Sequence, residues 1–144
     1  MAETFALMGA FLNITHPEMY QAGQAAMKMI LEKPDMVKEG KETWDILRYW
    51  TTPFTGYALI SNCITPLHRD NNSQGPWFNF LMTIREYMPR CMMKLDNIDM
   101  ELEYDSGTMV AVLGKIVWHG TLDVDGNRIC IAQYMRDNVQ DFWT

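Results

Sequence analysis

One change of pattern constrains the fold more than any other feature. Near residue 52 the chain stops reading as helix and becomes a series of short strands with no helix between them. Helices followed by consecutive strands argue against alternating βα units and point to an antiparallel barrel or jelly roll backed by helices. In the first part, Phe5 to Leu12 is a compact apolar run, and Thr15 or His16 before Pro17 and Glu18 reads as a helix entry. Met19, Gly23, Ala26, Met27 and Ile30 then recur at helical spacing. A further helix is expected from about Lys41 to Trp50, packing through Trp44, Ile46, Leu47 and Trp50.

Beyond Pro53, strands are expected at 55–62, 64–67, 77–84, 90–95, 98–104, 109–113, 116–122 and 127–135. The stretch 98–104 alternates apolar and polar residues without a break, the pattern of a strand with one buried and one wet face. Turn residues at Asp105-Ser106-Gly107 and Asp123-Val124-Asp125-Gly126-Asn127 separate the later strands. At 144 residues and 48% hydrophobic content, the chain has the size and apolar fraction of a single domain (1–144), mixed α+β but mainly β. Residues 1–52 would be helical support and 53–144 the barrel. The 13 methionines are expected to fill gaps in its core.

Three scattered cysteines without a CxxC exclude a zinc ribbon or finger and suit a reduced, intracellular protein. No apolar run has the length of a membrane span, and the first residues lack the basic and apolar regions of a secretory signal. The net charge of −6 sets a condition on any nucleic-acid partner, because phosphate binding normally leaves a basic footprint.

The chemistry gathers around two of the three histidines. His68 and Asp70 are two residues apart, which on a strand places both on one face. Taken alone, the pair is equally a strand-end histidine beside a turn aspartate. His119 lies on a later strand and completes two histidines and a carboxylate, the set that holds non-haem Fe(II) in oxygenases. If Asp125-Gly126 formed a two-residue hairpin turn, Asp123 would pair with Arg128 and bring Arg128 to the His119 face. Cys130, Ala132, Tyr134 and Arg136 would follow on that side. An arginine directed into a small barrel needs an anion, and the distal carboxylate of 2-oxoglutarate is one. His16, before Pro17, reads as a helix-entry residue.

Three segments carry a family likeness: Thr65-Pro-Leu-His-Arg-Asp, Gly114-Lys-Ile-Val-Trp-His-Gly, and the run from Asn127 through Arg128, Cys130, Tyr134 and Arg136 to Val139. Together they resemble TET/JBP-type 2-oxoglutarate- and Fe(II)-dependent dioxygenases, especially the small mushroom members encoded beside transposons. The likeness extends from about His16 to Val139. It implies a double-stranded β-helix that uses Fe(II), 2-oxoglutarate and O2 to oxidise the methyl group of a flipped-out 5-methylcytosine in DNA, to 5-hydroxymethylcytosine and beyond.

By the same likeness His68, Asp70 and His119 are the iron ligands and Arg128 holds the 2-oxoglutarate carboxylate. Cys130 stands where animal members have a supporting serine, a thiol being the weaker donor, and Asn62 is placed with these two among the co-substrate residues. Tyr134 lies against the base and Arg136 replaces a base-contacting histidine. Ser73 stands for a base-contacting asparagine, with Asn71 and Asn72 adjacent as substitutes. Met82-Thr83-Ile84-Arg85-Glu86 resembles the family's following strand. Methylated DNA is thus the expected partner and the nucleus the expected location. Arg69, Arg85, Arg90 and Lys94 are available for a basic mouth on an acidic body. The alternatives are the same chemistry on RNA, methylated adenine or a small molecule, and a non-catalytic interaction protein that keeps the fold.

Overall fold

The structure is a computed structural model that describes residues 2–38, 40–62, 64–85, 91–122 and 127–143. It divides into a helical unit, Met1–Thr55 with Met135–Thr144, and a β unit, Gly56–Tyr134. The sequence pattern placed a single boundary at 52/53; the C-terminal segment instead returns to the helices.

In the helical unit, α1 (Ala2–Thr15) buries Phe5, Met8, Gly9 and Leu12, one face of a helix by their spacing. Helix α2 (Pro17–Glu32) starts with Pro17 in its first turn, and Nδ1 of the N-cap His16 accepts the Met19 N–H at 3.3 Å. It buries Met19, Gly23, Ala26, Met27 and Ile30. Helix α3 (Gly40–Leu47) is shorter than its apolar pattern predicts. Leu47 and Trp50 pack against Ala26, Met27 and Ile30, and Trp50 donates its Nε1–H to the Phe54 carbonyl at 2.8 Å. Ile46 remains 62% exposed. Leu47 rather than Ile46 is the residue of this short helix that reaches the cluster. Helix α4 (Asp137–Trp143) had no clear sequence signal; its Val139 joins the same cluster.

The β unit contains eight strands: β1 (Gly56–Ser61), β2 (Thr65–His68), β3 (Asn79–Arg85), β4 (Met92–Leu95), β5 (Met100–Glu103), β6 (Met109–Val112), β7 (His119–Leu122) and β8 (Arg128–Tyr134). They form two four-stranded antiparallel sheets, ordered β1-β8-β3-β6 and β2-β7-β4-β5. This is the jelly-roll arrangement of a double-stranded β-helix, in a chain that is α+β and mainly β. A core of Leu81, Cys91, Met93, Leu95, Tyr104 and Val112 fills it.

Two details differ from the sequence expectations. The 98–104 alternation does not bury one whole face. Ile98 ends a 3-10 turn, Asp99 takes a left-handed φ of 50°, and Met100 is 45% exposed on a strand that pairs only with β4 among the described residues. A sheet edge carries Glu101 and Glu103 without cost, and only Leu102 and Tyr104 turn toward the core. Second, β7 and β8 do not form a hairpin: β7 pairs with β2 and β4, and β8 with β1 and β3. The connecting residues 123–126, including the expected Asp125-Gly126 turn, lie outside the described residues. His119 and Arg128 still line one cavity, but from opposite sheets. Among the described methionines Met8, Met19, Met27, Met93 and Met135 are core, while others are only half-buried and Met36 and Met100 are exposed, so gap-filling describes part of the set.

Candidate active site

His68 closes β2 and His119 opens β7, and the two are paired directly across the ladder. Directly paired residues share a face, and the ring centroids are 4.4 Å apart. Gly120 makes this approach possible, since a Cβ there would lie 2.7 Å from the Thr65 carbonyl. Asp70 sits past the end of β2, so a turn rather than strand alternation aims its carboxylate. The Asp70 N–H donates to the Gly114 carbonyl at 2.8 Å and its own carbonyl accepts from Ser73 N–H at 3.1 Å. Oδ1 lies 3.5 Å from His68 Nε2, and Oδ2 3.5 Å from His119 Nε2.

The imidazole orientations are fixed from behind. Nδ1 of His68 lies 2.9 Å from the Pro66 carbonyl, and Nδ1 of His119 lies 2.9 Å from that of Val117. A carbonyl accepts only, so both protons belong on Nδ1 and both Nε2 lone pairs face Asp70. Burial pushes the His119 pKa down, outweighing the Val117 hydrogen bond and the Asp70 charge, which pull it up. The neutral imidazole is the form that ligates metal. One ligand atom from each of His68, Asp70 and His119 lies within 4.8 Å of the others, a group that could hold a metal ion.

At the other end of the cavity is Arg128, 3% exposed. Its Nη1 lies 3.7 Å from Cys91 Sγ, its guanidinium carbon 5.9 Å from the Tyr104 ring centre, and its buried Nε has no hydrogen-bond partner. No carboxylate pairs with it among the described residues. A buried cation without a counter-ion is costly, and the planar guanidinium suits a carboxylate. The donor set therefore fits a small dianion anchored here. The Tyr104 hydroxyl and Cys130 Sγ are 3.5 Å apart beside it. Burial, with the neighbouring Cys130, raises the Tyr104 pKa, so the phenol keeps its proton and can donate.

A cavity of about 150 Å³ joins the two ends, walled by Ala58, Ile60, Leu81, Met93 and Ala132. Tyr134 also lines it, with its ring lying across Gly56, where a Cβ would be 2.7 Å from the ring. Cys130 lines it too. Asn62 does not: it is exposed, in a left-handed conformation, and its Oδ1 accepts the Arg128 N–H at 2.7 Å. Asn62 therefore holds the backbone of Arg128 rather than a ligand. Asn71 and Asn72 are exposed and do not line the cavity. Ser73 is buried, with its Oγ donating to Asn79 Oδ1 at 3.2 Å. Arg136 belongs to the helical unit, where its N–H donates to Thr55 Oγ1 at 3.0 Å.

Of the expected basic mouth, Lys94 is engaged by Asp96 at 2.7 Å and Arg69 lies over the Trp118 ring at 5.0 Å. Arg90 and the Arg85 side chain lie outside what is described. Three contributors escaped the sequence reading: Asn79, Tyr104 and Cys91. Asn79 is the one with a signal, being a polar residue in phase with the inward Leu81 of β3.

The family model Tet_JBP, the oxygenase domain of the 2OGFeDO superfamily, matches residues 1–137. No curated protein sequence matches the chain. With nearly the whole chain matched and a jelly roll holding a two-histidine, one-carboxylate group, the protein belongs to the Tet_JBP family and is a 2-oxoglutarate- and Fe(II)-dependent dioxygenase.

Proposed function

We propose that this dioxygenase oxidises the methyl group of a methylated nucleobase, with 5-methylcytosine in DNA as its substrate and 5-hydroxymethylcytosine as the first product. His68, Asp70 and His119 would hold Fe(II), and Arg128 the distal carboxylate of 2-oxoglutarate. The observation that carries these roles is the single cavity with a metal-ligand trio at one end and a buried, carboxylate-free arginine at the other. Iron, 2-oxoglutarate and O2 supply the oxidising chemistry when bound, leaving succinate and CO2.

The residues of the chain have narrower tasks. The Pro66 and Val117 carbonyls keep the two imidazoles turned with Nε2 inward. Arg128 orients the co-substrate by its far end, and the apolar wall between excludes water, which strengthens that ion pair. Tyr134, on the same inward face as Arg128, offers a ring for a flipped base to stack on. Asn72 and Arg136, outside the cavity wall, are candidates for contacts to the rest of the nucleic acid. The acidic net charge favours one competing reading, the same chemistry on a smaller substrate.

Mass spectrometry of nucleosides from a methylated duplex treated with enzyme, Fe(II) and 2-oxoglutarate tests the proposal. The expected result is 5-hydroxymethylcytosine formed with a matching amount of succinate. Succinate that forms equally without DNA, and no modified cytosine, would transfer the chemistry to another substrate.

A further inference from the structure

The candidate metal centre contains a buried relay that is itself not a ligand set. Asn79 opens β3 and is 3% exposed. Its Nδ2 donates to Asp70 Oδ2 at 2.5 Å, and its Oδ1 accepts the Ser73 hydroxyl at 3.2 Å. The second contact fixes which way the amide faces, because a hydroxyl donating to Oδ1 leaves Nδ2 for the carboxylate. Ser73 is in turn tied to the same turn, its N–H donating to the Asp70 carbonyl at 3.1 Å. Gly114 leaves room for the pair. A Cβ at 114 would come within 2.4 Å of Asn79 Nδ2 and 2.5 Å of Asp70 Oδ2. One amide thus holds one carboxylate oxygen, with Ser73 behind the amide and Gly114 leaving the space for both.

We infer that Asn79 is the positioning residue of the metal centre and that Ser73 acts through it, not on the base. Asp70 lies beyond the regular part of β2, so no ladder holds it, and its neighbour Asn71 is exposed. The Asn79 amide holds Oδ2 and with it the orientation of the whole carboxylate toward the two imidazoles. Hydrogen bonds to a ligating carboxylate fix its orientation, and their loss typically costs about 10–100-fold in metal affinity. The inference rests on the proposed iron-binding role of His68, Asp70 and His119.

The test is Co(II) binding by the metal-free full chain, followed by calorimetry and by the visible Co(II) bands, which report ligand geometry independently of turnover. Asn79→Ala should bind Co(II) about 10–100-fold more weakly, with altered bands. Ser73→Ala should weaken binding by about 2- to 10-fold, the worth of one hydrogen bond, and leave the KM for methylated DNA unchanged. Wild-type affinity and bands in both variants, while Asp70→Ala has lost the metal, would overturn the inference and leave the centre intact. Should Asn79→Ala fail to fold, Ser73→Ala decides alone. A Ser73→Ala protein with normal Co(II) binding and a raised KM for DNA would return Ser73 to base contact. Binding by Asp70→Ala as tight as wild type would instead remove the metal centre itself, and this inference with it.

Discussion

The two ends of the cavity are built on opposite principles. At the metal end the His68 and Asp70 side chains are 41% and 33% exposed, and only His119 is sealed. At the arginine end Arg128, Cys130, Cys91 and Tyr104 are all buried. The open end gains its specificity from geometry: imidazoles locked by carbonyls and a carboxylate held by the Asn79 amide. The closed end gains its strength from desolvation, since a guanidinium away from water attracts an anion far more strongly than an exposed one. In the proposed roles, substrate and O2 must reach the first end, while the second only has to grip the tail of a small molecule.

Substitutions at each end should fail in different ways. The largest effect is expected for Asp70→Ala, which removes the only carboxylate of the trio and should abolish both metal uptake and turnover. Metal content after dialysis checks this, and retained iron with full activity would break the assignment of the open end. Next comes Arg128→Lys, which keeps the charge and loses the planar fork. Losing charge-assisted hydrogen bonds should raise the KM for 2-oxoglutarate by roughly 10–100-fold while metal affinity stays put. Steady-state kinetics against co-substrate, beside metal titration, would show whether the two ends are separable.

Tyr134→Ala addresses the substrate rather than either end. Stacking on a base is worth about 1–3 kcal/mol, so activity on methylated DNA should fall about tenfold or more. Decarboxylation without DNA should survive. An early melting transition with equal loss of both activities would make Tyr134 a packing residue. The smallest effect is expected for Tyr104→Phe, which deletes only the hydroxyl beside Cys130. One hydrogen bond of about 1 kcal/mol predicts a roughly fivefold weaker hold on 2-oxoglutarate and a normal kcat.

How much of this was legible depended on whether a residue's role is written in local pattern. The eight strands were, because short apolar segments recur beyond residue 53 with turn residues at 105–107 and 123–127, although β7 is only the last part of the segment expected at 116–122. His68, Asp70 and His119 stood out because so few histidines are present and two of them align with strands. Arg128 shares a cavity with His119, but not through the pairing that the turn residues suggest. A hairpin would join β7 to β8, whereas the jelly roll sends them to different sheets whose inner faces meet. Tyr104 and Cys91 were not legible, because their roles come from long-range pairing, and for Asn79 the sequence shows an inward polar residue but not its partner. Asn79 reaches Asp70 only through the β3 register, and Tyr104 meets Cys130 only once the sheets face each other. Ile46 and Ile98 show the converse limit, apolar residues in suggestive positions that the short helix and the sheet edge leave in water.

In the proposed roles one cavity holds metal at one end and the co-substrate carboxylate at the other. Anaerobic titration of the Fe(II)-loaded protein with 2-oxoglutarate, followed by the visible charge-transfer band of the chelate, tests it most directly. The expected band saturates at one equivalent per chain, requires higher 2-oxoglutarate in Arg128→Lys, and is absent in Asp70→Ala. A wild-type protein that gives no band, or an Arg128→Lys protein that titrates identically to wild type, would contradict it.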